Sequence, residues 1–452
     1  MNQHRQRGRR AAATAATARL LGLVVCALVA LTCLAAAGAS AAAYVPGKVV
    51  VGYPHGTSAT VALPRGESVA AAVKRLRNAP GVTYAVPDYL AHASGSWIPD
   101  DRGTAGQAAG WEKLQWNFLP VMGVDAPGAW ANLQQVGHPG GKGVIIAVLD
   151  TGVAYRNWRQ YRISPDFTGT KFVSPYDFIA HNAYPLDREG HGTFVTGTLA
   201  EATNNGYALT GLAYGASIMP VRVLAADGTG DSATIAKGIR YAVAHGAQVI
   251  NLSLEFSLDV TAQDIPDILS AIRYAHRKGA FVVAASGNEG IDQIAYPARA
   301  SGAVSVGATT EDRCVADYSN GGPALDLVAP GGGDDSTLPQ DPNCDPSKSL
   351  PNIRQLTMLS PSTPGRFGYP GDVFGTSMAT PHVAAAAALV IASGVIGRHP
   401  TPDAILTRLE QTAQHLGPTT PTTPTTPNAD YGWGLIDAAA ATAPPAAAAR
   451  KR

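Results

Sequence analysis

The chain has 452 residues, 46% hydrophobic and 15% charged, with a formal net charge of +1. That is enough apolar material for a sizeable core and argues against bulk disorder, while 49 glycines and 33 prolines point to many turns rather than a helical bundle. The charge is uneven: residues 1–43 carry five arginines and no acid, whereas beyond residue 98 there are 24 basic against 31 acidic residues, which argues against nucleic acid as a partner.

Arg5, Arg7, Arg9 and Arg10 precede an apolar run from Leu20 to Ala37 and then Ala39-Ser40-Ala41, the order of a secretory signal peptide over 1–43. A retained membrane anchor is the competing reading, because the run is near bilayer-spanning length. No other stretch reads as long and apolar enough to span. Residues 44–95 form a small separate unit, with strands at 48–53 and 81–87 and a helix at 68–78, where Val69, Ala72, Val73 and Leu76 recur at helical spacing. About fifty residues is close to the lower limit for independent stability, so this unit is expected to lean on a larger partner.

From residue 143 strands and helices alternate. Gly143–Leu149 is a continuous apolar run, as are the stretches 217–224, 248–254, 280–285 and 303–308; each reads as a buried parallel strand. Helices are expected at 232–244 and around Ile265, Ile268, Leu269, Ile272 and Ala275. The pattern is an α/β domain over 96–441, a mostly parallel sheet flanked by helices on both faces, with its site beyond the carboxyl ends of the strands. Residues 331–372 are rich in Gly, Pro and Asp and read as an ordered insertion or a mobile flap. Residues 417–427 are a stiff Thr/Pro-rich segment, and 442–452 a disordered tail. Cys26 and Cys33 leave with the signal. Cys314 and Cys344 remain, either as free thiols or, in an exported chain, as a disulfide closing about thirty residues and contributing roughly 3–4 kcal/mol.

Three polar residues stand out against this frame. Asp150 ends the first buried strand, where a carboxylate is costly without hydrogen-bond partners. His191 opens His191–Gly197, HGTFVTG. Ser377 lies in Gly375–Ala384, GTSMATPHVA, at the mouth of an Ala-rich helix. Taken singly, each has an ordinary structural explanation as a turn, a core histidine or an N-cap. Together they supply a nucleophile, a base and a carboxylate that orients the base, the requirements of acyl transfer. Their order, Asp…His…Ser, differs from that of chymotrypsin-like enzymes and α/β-hydrolases, and the serine lacks the G-x-S-x-G elbow.

With VLDTGV at Val148–Val153, these blocks resemble the three signatures of the subtilisin-like serine proteases. The likeness runs from about Gln115 to Ala441 and, more weakly, through 44–95. It implies a secreted serine endopeptidase acting as a monomer on polypeptides, with Asp150, His191 and Ser377 as catalytic triad and no cofactor for the chemistry. The family's oxyanion block is similar to Ala284–Gly290, making Asn288 the side-chain donor to the oxyanion. Ser253-Leu254 and Asp227-Gly228-Thr229-Gly230 match the two edges that hold an extended substrate. Ala285, Ser286 and Gly287 match a wall of the S1 pocket, and Ala295 its floor. Tyr296-Pro297 matches a bond that is often cis.

Glu255 departs from the pattern, since a glycine commonly follows that Ser-Leu pair. The uncharged wall implies a preference for Leu or Met at P1; Glu255 or Glu289, on reaching the pocket, would favour Lys or Arg. A structural calcium is implied at Thr203–Gly211, with Asn205 and the carbonyls of Thr203, Tyr207 and Leu209, the carboxylate of Asp166, and Asp101 or Gln115 completing the shell. Residues 44–95 resemble the inhibitory propeptide, an intramolecular inhibitor removed by autoprocessing. After signal removal no membrane anchor is left. The alternative function is a catalytically silent subtilase fold used for binding or display at a surface. With His191 as base, activity is expected to rise through about pH 6–8.

Overall fold

The structure, a computed structural model, describes residues 44–64, 67–89, 97–103, 109–417 and 426–444. The signal segment, most of the Thr/Pro repeat and the tail from residue 445 lie outside them. The N-terminal unit is a three-stranded antiparallel sheet, with β1 (Tyr44–Gly52) between β2 (Ser58–Ala62) and β3 (Tyr84–Tyr89). Helix α1 (Val69–Arg77) starts at Ser68, whose hydroxyl caps Ala71 N–H, and buries Val69 and Ala72 against Val49, Val51 and Ala85. β2 is mostly exposed, so it has no alternating apolar signal for the sequence to betray.

The main sheet is parallel: β4 (Ile145–Asp150), β5 (Lys171–Phe172), β6 (Tyr176–Asp177), β7 (Ser217–Arg222), β8 (Val249–Leu252), β9 (Phe281–Ala285), β10 (Ala303–Thr309) and β11 (Leu327–Pro330). Their order is β11-β10-β9-β8-β4-β7-β5, with β6 also paired to β7. Both faces are covered. Ile146 and Val148 of β4 enter one apolar cluster, Ala147 and Leu149 the other, as period-two side chains must. The first cluster takes in α2 (Ala126–Gln135), α3 (His191–Ala200), α6 (Thr376–Ser393) and α7 (Pro402–Thr412); the second takes in α4 (Ser232–Ala244) and α5 (Pro266–Arg277). A last short helix, α8 (Ala438–Thr442), packs on α2 and α6. Thr442, expected to begin the tail, is buried as its final residue. The chain crosses from one side of β4 to the other between β7 and β8. That reversal opens the crevice at the strand ends where open α/β sheets bind ligands.

Helix α6 corrects one sequence expectation. Its 18 residues have a mean hydropathy of 1.3, enough by length and composition to cross a membrane. It is instead the central core helix, apolar on every side because every side is packed.

The 331–372 segment is ordered. It carries the antiparallel pair β12 (Thr357–Met358) and β13 (Phe367–Gly368) and buries Ile353, Gln355 and Leu356. It braces α3: Leu356 N–H donates to Glu201 Oε1 and the Thr357 hydroxyl to Gly190 O, each at 2.8 Å. Cys314 and Cys344 are joined across 30 residues, tying the start of this segment to the turn after β10. Replacing both cysteines by serine in a Ser377→Ala background should lower unfolding stability by roughly 3–4 kcal/mol. Guanidinium unfolding with an unchanged midpoint would show that the crosslink contributes nothing.

Candidate active site

Asp150 has no solvent exposure. The Nδ1–H of His191 donates to its two oxygens at 2.9 and 3.0 Å, and Thr151 N–H donates to Oδ1 at 2.7 Å. His191 is the first residue of α3, and that helix starts where it does because of Asp187. The buried Asp187 carboxylate accepts the N–H groups of Glu189, Gly190 and Thr193 and the hydroxyls of Thr151 and Thr193. One side chain thus satisfies orphan amides of the helix start and ties it to the residue after Asp150. The approach is so close that a Cβ on Gly192 would fall 2.1 Å from Gly152 O and 3.0 Å from Asp150 Oδ1.

Ser377 is the second residue of α6, after Gly375 at φ +142°. Four residues on stands Pro381, which has no N–H to give to the Ser377 carbonyl. The Ser253 hydroxyl takes that carbonyl instead, at 2.8 Å, while the Ser377 hydroxyl donates to Ser253 O at 3.2 Å. The serine is therefore clamped to the end of β8. In this state its hydroxyl is not bonded to His191, whose Nε2 has no partner among the described residues. Both side chains line one cleft of about 440 Å³ with Gly228, Thr229, Gly230, Ser253, Leu254 and Glu255.

Asn288 is fixed by its Oδ1, which accepts both the N–H and the hydroxyl of Thr376, at 2.8 and 3.1 Å. This aims the amide past the start of α6. Its Nδ2 donates to Glu255 Oε1 at 3.0 Å. Glu255 therefore touches the predicted oxyanion donor and lines the cleft. Ala285, Ser286 and Ala295 are buried, with Ala295 N–H bonded to Ser286 O, and neither they nor Gly287 line that cleft. Asp227 does not line the cleft; it turns back to accept the N–H and hydroxyl of Thr229. The Tyr296–Pro297 bond is cis.

Residues 141–434 match the Subtilase family of S8 peptidases. The chain belongs to that family. This subtilase is 35% identical over 327 residues to the "thermophilic serine proteinase" of Bacillus sp. strain AK1, covering 72% of this chain and 67% of the relative. It is 36% identical over 308 residues to Subtilisin BL of Lederbergia lenta, covering 67% and 91%. Among solved structures, a protease from Pseudoalteromonas arctica PAMC 21717 aligns with a TM-score of 0.60 at 30% identity, over 76% of this chain and 99% of that one. The fold is the subtilisin fold, and the protein is a subtilisin-like serine protease, a hydrolase of peptide bonds that needs no cofactor for its chemistry.

Sequence reasoning missed Asp187, Thr376 and Pro381 as supports of the site. It also missed His382, which is buried, donates from Nδ1 to Met378 O and accepts Asn117 Nδ2–H at Nε2. Burial pushes His382 down to about 4, so it stays neutral and pins α6 to the turn at 116–118. Only Pro381 carried a readable signal, since a proline inside a helix must leave one carbonyl free.

The expected calcium ligands come together only in part. Asp101, Asp166 and Glu201 are fully buried, and Glu201 Oε2 has no hydrogen-bond partner. Burial pushes Asp166 up to about 7 and Asp101 to about 6, each raised further by a neighbouring acid. Such uncompensated oxygens suit a hard cation. Yet Asp166 accepts Asn205 Nδ2–H and Leu209 N–H, Asp101 accepts the amides of Asn204 and Asn205, and Gln115 is spent on Thr210. Among the described residues no group of three or more His, Cys, Asp or Glu side chains is arranged to hold a metal.

Burial alone would lower the pKa of His191, but the Asp150 carboxylate, helped by Glu189 and Asp187, outweighs it and pushes the imidazole up to about 9. The neutral form, which can accept a proton, therefore accumulates at higher pH than the ordinary imidazole range. We expect kcat/KM on a non-titrating peptide to climb up to about pH 9, not to level off by pH 7, and Glu189→Gln to move the rise to lower pH. A plateau already reached at pH 7 would show that the acids around His191 do not outweigh its burial.

Proposed function

We propose that the protein is a secreted serine endopeptidase that hydrolyses peptide bonds through an acyl-enzyme on Ser377. The observation that carries this reading is the His191 imidazole held by buried Asp150, with Nε2 facing the cleft it shares with Ser377. Asp150 keeps the proton on Nδ1, so Nε2 is the accepting nitrogen. His191 takes the Ser377 proton as Oγ attacks the carbonyl and returns it to the leaving amine; water then resolves the ester by the same route. The charge developing on the substrate oxygen is stabilised by the Asn288 amide and the backbone at the start of α6, where the helix dipole favours negative charge. An extended substrate lies between Ser253-Leu254 and Gly228–Gly230, adding itself as a strand.

Residues 1–43 act as the export signal and 44–95 as a propeptide that Ser377 removes. Among the described residues of 44–89, none lines the Ser377 cleft. Lys48, Pro64 and Glu67 instead share a cavity with Glu311, Asp312 and Lys348. Inhibition is assigned to the 44–95 unit as a whole. The mature enzyme works outside the cell as a monomer.

Ser377→Ala should abolish peptide hydrolysis and leave the precursor uncut, and a fluorophosphonate should label the wild type and not the variant. Wild-type protein that resists the label and cleaves no peptide would be the silent binding fold. A precursor that still matures with alanine at 377 would show that another protease does the cutting.

A stabilising calcium near Asp166, Glu201 and Asn205 belongs to the same proposal, supported by the unpartnered buried oxygen of Glu201. Its loss acts on the native state alone. Exhaustive chelation should therefore lower Tm more than room-temperature activity, with recovery on adding calcium. An unchanged Tm would remove the ion from the description.

A further inference from the structure

Glu255 is the one acid in contact with the side-chain amide assigned above to the oxyanion. It follows Ser253 and Leu254 at the end of β8, and its two oxygens differ. Oε1 accepts the Asn288 Nδ2–H at 3.0 Å. Oε2 is buried without a hydrogen-bond partner. That free oxygen lies against the S1 wall: a Cβ built on Gly287 would come within 2.9 Å of it. The neighbouring Glu289 is not in this position, because Asn320 Nδ2–H and Asn288 N–H both donate to its Oε2.

A carboxylate oxygen buried without a donor is an expensive arrangement, and the residue that carries it lines the cleft shared by His191 and Ser377. Burial raises the Glu255 carboxyl, the Asn288 hydrogen bond lowers it, and Glu289 raises it again. No cation among the described residues is paired with it. Ala285, Ser286 and Ala295, the residues matched to the S1 wall and floor, carry no charge. A positively charged group entering the pocket would find an acceptor that nothing else satisfies.

We propose that Glu255 selects a cationic P1 side chain, and that the cation, by taking over the carboxylate, frees the Asn288 amide for the oxyanion. This rests on the roles given above to Ser377 and Asn288. With an uncharged P1 side chain Glu255 retains one of the two Asn288 Nδ2–H groups and holds the amide turned toward itself, so the donor reaches the oxyanion less well. Loss of one such donor in a subtilisin costs about 10²–10³ in kcat, a magnitude known from another family member. The discrimination therefore falls on kcat more than on KM, because the amide is needed only once charge develops. Recognition of the side chain and completion of the oxyanion site become one event, a local form of induced fit.

The test is a set of fluorogenic peptides identical except at P1, carrying arginine, its uncharged isostere citrulline, lysine or leucine. Wild type should turn over arginine roughly 10²-fold faster than citrulline, with KM changed only a few-fold. Glu255→Gly should remove the preference and raise kcat on citrulline and leucine by about tenfold or more. That gain should vanish when Asn288→Ala is added. Glu255→Gln, which keeps the volume, should also erase the arginine–citrulline difference.

Labelling of Ser377 and hydrolysis without any effect of P1 charge would overturn this proposal alone. So would a Glu255→Gly variant that loses activity equally on all four peptides. Failure to label and to cleave any of them would overturn the reading of Ser377, and this one with it.

Discussion

A carboxylate with no access to water has to be surrounded by donors, and the placement of Asp150 sets that requirement at the centre of the molecule. β4 is flanked by β8 and β7, both its faces are covered, and Asp150 ends it. The donors available are the next backbone amide and the imidazole of His191. Helix α3 must then begin within one residue of a fixed point, and the residues that allow this are small or hydrogen-bonding: Gly192 for the close approach, and Thr151, Thr193 and Asp187 for the lock. The 331–372 segment holds the same helix from the other side through Gly190 and Glu201. Much of the architecture around the cleft follows from satisfying one buried acid.

The nucleophile is positioned by a complementary device, an interruption rather than a bond. Pro381 withholds an N–H from the Ser377 carbonyl, and Ser253 fills the gap from the end of β8. Thr376 holds Asn288 through the first turn of the same helix. Two segments far apart in sequence are thereby referred to one helix terminus. α6 is itself immobilised by packing on all sides and by the neutral His382. Groups that must act on a reacting carbonyl need such fixed support, since small displacements are costly to catalysis.

The acidic cluster at Asp101, Asp166 and Glu201 and the carboxylate of Glu255 show the same physics left unfinished. Each places a charge where burial disfavours it, and each has an oxygen or a shifted titration that a cation would relieve. The relief proposed for the first is a bound ion, and for the second a charge carried by the substrate.

The sequence by itself determined the α/β class, the parallel strands and the family, because buried strands read as unbroken apolar runs and the blocks around Asp150, His191 and Ser377 are local. It also determined that 232–244 is a helix. It placed the strand cores but not all their ends: the strand expected at 81–87 starts at Tyr84 after a turn closed by Val82 N–H to Ala79 O. Exposed β2 and the apolar core helix α6 were missed or misjudged because composition does not say what surrounds a segment. The direction of the Glu255 side chain, the raised pKa of His191, the closure of the Asp166 loop by its own amides and the seat of the N-terminal unit away from the cleft were decided only in three dimensions. Each depends on atoms brought together from segments distant in sequence, and burial and hydrogen bonding are properties of that juxtaposition rather than of any one segment.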